Sequence, residues 1–231
     1  MTDYDMPKPK LRWSFSQWET YNGCPAKWKF GSVLKLPRKP PGPAAARGLE
    51  MHDTVEKYIT NEHGVEGLHP DIKPKYIPIF DEFRNHPNGE RYAEKKLAFD
   101  PEWSICAPTS QFASCIAVLD AVRSIDGVVH IGEWKSGKPK DSHGDQRKLY
   151  AMFGYRAWNA ERVEVTTYYL EDTHPPQRVV LESEKGFNTL SELWQHRIDT
   201  MLRDEMCAPR PSFGCRFCDF ANSQGGPCQF G

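Results

Sequence analysis

The sequence has no apolar run long enough to cross a membrane, no secretory leader, no internal repeat and no low-complexity tract. These absences argue against a membrane-spanning helix and a repeat architecture, and with seven cysteines they predict a protein of the reducing cytoplasm rather than a disulfide framework. Excess charge of one sign is missing too. Lys and Arg number 30 against 31 Asp and Glu, a net charge of −1 that by itself neither points to nor excludes an acidic partner.

What is present is enough apolar residue for a core. At 231 residues and 39% hydrophobic content, one compact domain over residues 1–231 is the expected solution. Charge and aromatics are unevenly spread. Lys8, Lys10, Arg12, Lys27, Lys29, Lys35, Arg38, Lys39 and Arg47 face only four acids in the first fifty residues. Trp13, Phe15, Trp18, Tyr21, Trp28 and Phe30 are interleaved with them. Such a segment could track phosphates and stack bases, or its tryptophans could pack an N-terminal helix.

The densest chemistry lies between Asp120 and Tyr150. Val118-Leu119-Asp120 and Val128 to Lys135 read as two β-branched strands joined by a Ser-Ile-Asp-Gly turn, so a hairpin would bring Asp120 and Glu133 together. Carboxylates that close repel unless a cation lies between them, and hard oxygen ligands suit Mg2+ or Mn2+. Glu133 and Lys135 leave the same face of a strand, which would hold an ammonium beside that cation. The plain alternative is a surface ion pair. Gln146 and Tyr150, four apart, would project from one side of a helix, either toward a bound strand or as a polar cap on a core tyrosine. Upstream, Arg47 to Ile59 has amphipathic helical spacing, with Leu49, Met51, Val55, Tyr58 and Ile59 on the predicted buried side. His52 in its first turns could offer a nitrogen ligand or be an ordinary helical histidine.

In order along the chain, these elements resemble the PD-(D/E)XK nuclease superfamily, in the branch of RecB-like nuclease domains and CRISPR-associated single-strand exonucleases. The resemblance rests on Ser14 to Cys24-Pro25, Gly48-x-x-x-His52, Asp120 at a strand end, Glu133-Trp134-Lys135 and Gln146-x-x-x-Tyr150. It implies that His52, Asp120, Glu133 and the Trp134 carbonyl hold a metal and that Asp120, Glu133 and Lys135 are the catalytic set. It also implies that Gln146 and Tyr150 shape the DNA side of the site. Glu94 resembles an additional acid of some members.

Cys215-x-x-Cys218 and the later Cys228 have metal-ligand spacing, one short of a closed site. The resemblance implies Cys24 as the fourth ligand and a structural 4Fe-4S cluster joining the chain ends, while four thiolates would suit zinc as well. Cys115, in an apolar run, reads as a buried thiol, and Cys207 as a substitute ligand.

The fold expected is α/β, a mixed sheet flanked by helices, with an N-terminal helical element to residue 47, a nuclease core over 48–206 and a cysteine tail over 207–231. Strands are predicted near Tyr92–Phe99, Gln111–Val122, Val128–Lys135, Val163–Leu170 and Arg178–Glu182, with a helix over Phe187–Leu202. The stretch before Gly89 is predicted irregular, and Lys138–Gly144 a loop. The function expected is a metal-dependent DNA exonuclease acting on single strands or frayed ends, in recombination, repair, phage replication or CRISPR adaptation. Its setting would be a bacterial or phage-infected cytoplasm, beside partner proteins of those pathways and any separate motor that unwinds duplex. The alternative is a DNA-binding or accessory subunit whose acidic site is vestigial or acts only with a partner.

Overall fold

The computed structural model describes residues 12–85, 89–172 and 174–231; Lys8 and Lys10 of the basic segment lie outside them. Its frame is one sheet of six strands: β1 (Glu90–Phe99), β2 (Ile105–Cys106), β3 (Cys115–Ile125), β4 (Val128–Lys135), β5 (Arg162–Tyr169) and β6 (Gln177–Leu181). The spatial order is β2-β1-β3-β4-β5-β6. Every neighbouring pair is antiparallel except β4 and β5, which run parallel. A parallel pair needs a long crossover, and helix α5 (Ser142–Ala157) supplies it.

The remaining helices cover the two faces. On one lie α1 (Phe15–Gly23), α5 and α6 (Glu184–Arg203); the short α2 (Pro25–Trp28) follows α1. Phe15, Trp18, Leu149, Phe153, Phe187 and Trp194 close over Leu119, Val129 and Val163 there. On the other face α3 (Pro43–Ile59) and α4 (Ile77–Arg84) pack Met51, Val55, Phe80 and Phe83 against Ala121 and Trp134. The result is a helix–sheet–helix sandwich with an apolar core on each side.

The β3–β4 connection is tighter than predicted. β3 runs on past Asp120 to Ile125, leaving only Asp126 and Gly127 in the turn, at φ 48° and 77°. Two positive φ values in a two-residue loop match the right-handed twist of the strands, and an Asp-Gly pair tolerates them. At its other end β3 begins at Cys115 rather than Gln111. There the main chain of Trp13 bonds the Ser114 carbonyl and the Ile116 amide, both at 2.8 Å.

Other departures have local causes. α3 starts at Pro43, four residues before the predicted start, because proline fits a first helical turn. Leu49, at 63% exposed, faces solvent. The segment predicted irregular contains α4, whose Pro78 sits in the first turn while Phe80 and Phe83, three apart, are buried. Ser142–Gly144, predicted as loop, forms the first turn of α5. The two-residue strand β2 exists only through its pairing with Ala98 and Phe99. Trp13, Trp18 and Trp28 are buried, so the base-stacking role is not theirs.

Trp194 carries much of the larger core, its ring 4.9 Å from Trp18 and 5.7 Å from Trp13. Trp194→Ala should lower stability by about 3–5 kcal/mol in urea unfolding, whereas Leu193→Ala beside it, half exposed, should change it by no more than about 0.5 kcal/mol.

Candidate active site

Asp120 occupies the one level of the sheet where the ladders on both sides of β3 lapse. Pairing between β1 and β3 matches Ala93 with Ala121 and Lys95 with Leu119, passing over Glu94 and Asp120 between them. Pairing between β3 and β4 reaches Ala121 with Gly132 and stops one step short of Asp120 and Glu133. Three acids from three adjacent strands thus stand at one level. Glu94 is held there at φ 48°, a left-handed conformation that costs a non-glycine residue about 1–3 kcal/mol and persists where its surroundings over-determine it.

Beyond Gly132, β4 keeps only β5 as partner, with Glu133, Trp134 and Lys135 opposite Thr167, Tyr168 and Tyr169. The sheet therefore forks. The Trp134 amide, which has lost a β3 carbonyl to bond to, donates instead to Asp120 Oδ2 at 2.7 Å. Its indole folds back over Gly132, where a Cβ would fall 2.6 Å from the ring. The ring is wedged among Phe80, Phe83 and Tyr168.

α3 brings His52 to the same point. Four residues earlier, Gly48 lets the helix pass close to the end of β4, where an added Cβ would sit 2.7 Å from Ser136 Oγ. His52 Nδ1 is 3.6 Å from Asp120 Oδ2. His52, Glu94 and Asp120 each place one ligand atom within 4.8 Å of the others. Glu133 lies alongside, 3% exposed, with Oε1 accepting from Lys135 Nζ at 2.6 Å and Gln146 Nε2 at 2.9 Å. Gln146 Nε2 also donates to the Tyr150 hydroxyl at 3.1 Å. Glu133 Oε2 is buried with no hydrogen-bond partner, which is costly unless something cationic faces it.

The charges fit that reading. Burial and the Asp120 carboxylate raise the Glu94 carboxyl to about 7, and the same two causes raise Glu133. Burial pulls the His52 imidazole down, but the Asp120 carboxylate outweighs it and carries the group above its ordinary value. Lys135 is likewise raised by Glu133 and Asp120 against its burial, so it stays an ammonium. Acids that resist ionising in one another's company, beside an imidazole nitrogen, form a donor set suited to a divalent cation.

A cleft of about 510 Å3 opens in the fork, lined by Ile116–Val118 of β3, Lys135 and Ser136 on the β4 side, Ser14–Ser16 and Glu19 at α1, and Gln146 and Tyr150 of α5. Sequence reasoning did not assign Glu19, Lys138, Lys140 or His143, which share this lining. Their only signal was position: Glu19 in the opening segment, the others in the stretch between the Lys135 strand and the Gln146 helix. Burial, then Lys135 and Lys140, hold His143 down at about 4, a neutral imidazole.

Cys24, Cys215, Cys218 and Cys228 line a second, small cavity. Cys24 is the residue between α1 and α2; Cys215 and Cys218 lie in and just after the turn Phe213–Phe217. The Arg210 amide donates to Cys24 Sγ at 3.4 Å and the Ser212 amide to Cys215 Sγ at 3.3 Å. Cys207 is outside this lining, its thiol donating to the Asp204 carbonyl at 2.9 Å. Cys115 is buried in the core, which pushes its thiol up.

A family model described as the PD-(D/E)XK nuclease superfamily matches residues 12–75 and 70–223. The chain belongs to the PD-(D/E)XK nuclease superfamily. Among solved structures this nuclease is similar to SSO0001, with a TM-score of 0.50 and 16% identity over 98% of this chain and 91% of the other. A candidate exonuclease from Eubacterium rectale scores 0.50 at 11% identity, over 100% and 94%. LHK-Exo, an alkaline exonuclease from Laribacter hongkongensis also solved with dAMP, scores 0.41 at 12%, over 84% and 89%. At these identities the likeness is one of fold. Among curated proteins no sequence match is found. Nucleases of this superfamily use divalent metals and act on nucleic acid, and no helix among the described residues is long and apolar enough to cross a membrane.

The raised acids set a pH dependence. A carboxyl held above its unfolded value favours folding at low pH and gives that up as pH climbs through its folded value; the raised His52 acts in the same direction. In EDTA, the Tm should therefore fall between about pH 5 and about pH 8. Added Mn2+ should raise the Tm more at the higher pH, since it competes with protons for these groups. An equal gain at both values would place the ion elsewhere.

Proposed function

We propose that the protein is a metal-dependent DNA exonuclease acting on single strands or frayed ends, with Mg2+ or Mn2+ held by His52, Asp120, Glu133 and the Trp134 carbonyl. The observation that carries this is the His52, Glu94 and Asp120 donor atoms gathered within 4.8 Å, with the buried, unpaired Oε2 of Glu133 on a carboxylate that feels the charges of Asp120 and His52. Glu94 joins the set, since its carboxylate reaches within 4.8 Å of the His52 and Asp120 donor atoms. A bound divalent ion would lower the pKa of a water and stabilise charge developing on a phosphate.

The chain's own residues supply the rest. Asp120 and Glu133 would be the acids of the catalytic set. Lys135, kept protonated at 2.6 Å from Glu133 Oε1, positions the attacking water and offsets phosphate charge. Gln146 occupies the same oxygen of Glu133, leaving Oε2 toward the cation, and with Tyr150 forms the wall past which the strand lies.

For the cysteines we propose a structural 4Fe-4S cluster, so that the Cys24 segment of the N-terminal element and the tail 207–231 are clasped beside a core of 48–206 in a single domain. Amide hydrogen bonds to two of the sulfurs support thiolate ligands. Four thiolates would suit a tetrahedral zinc as well, and the iron content of the purified protein decides between the two. A bacterial or phage-infected cytoplasm and a role in recombination, repair or CRISPR adaptation fit a nuclease of this kind.

Cleavage of an end-labelled single-stranded oligonucleotide by anaerobically purified protein tests the activity. Laddering should require Mg2+ or Mn2+, vanish in EDTA, and fall by at least about a thousandfold in Lys135→Ala and in Glu133→Ala. Full activity in either variant would overturn the assignment, and DNA binding without cleavage by the folded wild type would leave a binding or accessory subunit. Cys218→Ala should lose iron absorbance and stability together; a stable variant with an intact visible spectrum would show that Cys218 holds no cluster.

A further inference from the structure

The active-site cleft does not end at Lys140. A neighbouring hollow of about 360 Å3 shares Glu19 and Lys140 with it and continues to Lys27, Arg210 and the Cys215 turn, so the two form one groove from Lys135 to the cysteine-bearing tail. Beyond Lys135, which pairs with Glu133, stand Lys138, Lys140, Lys27 and Arg210 against one carboxylate of the lining, Glu19, which accepts from the Ser142 hydroxyl. In a chain whose net charge is −1, that concentration is local, and a groove lined by one sign of charge focuses its field on a polyanion.

At the tail end the groove meets exposed aromatics. Phe213 is 71% and Phe217 77% exposed. They flank the groove-lining Gly214 and Cys215, their rings 5.9 Å apart, with the Arg216 guanidinium 4.9 Å from the Phe213 ring. Aromatic faces beside a basic track are how proteins hold a single strand, whose bases are free to stack; in a duplex they are already stacked on one another.

We propose that a single nucleic-acid strand leaves the active-site cleft across Lys140, runs along this groove with Lys27, Lys140 and Arg210 on its phosphates, and stacks its bases on Phe213 and Phe217. The inference deepens the nuclease reading and rests on it. It gives the cysteine tail a hand in substrate binding and moves the stacking surface from the buried N-terminal tryptophans to the tail.

The test is anisotropy of fluorescein-labelled oligothymidylates of about 4 and about 20 nucleotides with the full chain in EDTA. Wild type should bind the longer strand more tightly, and Phe213→Ala with Phe217→Ala should cost it about tenfold or more. Lys27→Ala with Lys140→Ala should reduce the slope of log K against log salt by about one per lysine removed. Circular dichroism and Tm report whether each variant stays folded. Wild-type cleavage with a length dependence and salt slope that both double variants leave unchanged would overturn the track and leave the nuclease standing. No binding and no cleavage by wild type would overturn both. Tighter binding of a duplex that ignores Phe213 and Phe217 would overturn the single-strand path.

Discussion

The site depends on one hydrogen bond, from the Trp134 amide to the Asp120 carboxylate at 2.7 Å. A central strand that parts from its neighbour strands a buried amide, and a buried amide needs an acceptor. Asp120 supplies it from a side chain, so β3 and β4 can diverge after Gly132 without an unsatisfied donor. The divergence makes room for the cleft and leaves Glu133 and Lys135 on a strand whose β3 side is open. Trp134 secures the arrangement from the other face, its indole locked over Gly132 by Phe80 and Phe83. One residue thus offers its amide to the acid and its ring to the core.

Electrostatics then explain why the fork is a place for chemistry. Glu94, Asp120 and Glu133 would repel in any low-dielectric setting, and the left-handed backbone at Glu94 adds strain. Lys135 and a raised His52 offset part of that cost, but Glu133 Oε2 stays unpaired. Carboxylates forced together with a vacancy in their hydrogen bonding are destabilising for the fold alone. They make sense as a site kept ready for a cation, at the usual expense of stability where function is housed.

Much of this could be read from the residues. β-branched residues marked β4, the i, i+4 step placed Gln146 and Tyr150 on one helix face, and the x-Asp-Gly turn predicted the hairpin. The fork was not legible, because a lapse in pairing is a relation between strands and leaves no mark in either sequence. The resemblance put Asp120 at a strand end and the predicted strand closed at Val122, whereas β3 runs on to Ile125. Glu94 entered only through its resemblance to an additional acid of some members, because nothing in its own strand marks it; the register puts it across from Asp120. The helix over Ile77–Arg84 was hidden by Pro78, a breaker in mid-helix but a favourable residue in a first turn. Trp13, Trp18 and Trp28 could equally have been base stackers or core, since aromatic composition alone does not distinguish the two; Trp194, some 170 residues downstream, decided it for Trp13 and Trp18, and Tyr21 for Trp28.

α1 links the two cysteine-rich and acid-rich ends of the molecule. Its first turn lines the cleft, its buried side packs Phe15 and Trp18 on Trp194, and the residue that ends it is Cys24. Anything that fixes Cys24 to Cys215, Cys218 and Cys228 therefore fixes the wall of the cleft as well. Clasping points 191 residues apart, Cys24 and Cys215, removes more freedom from the unfolded chain than a short loop would, though the gain grows only with the logarithm of length. The larger effect is positional. The Cys24 end of α1 is already tied to the tail by Arg210, which donates to the Asn22 carbonyl and to Cys24 Sγ, and by the Tyr21 hydroxyl on Asp204; a group bound by the four cysteines would add to that hold on the groove between Lys140 and Arg210.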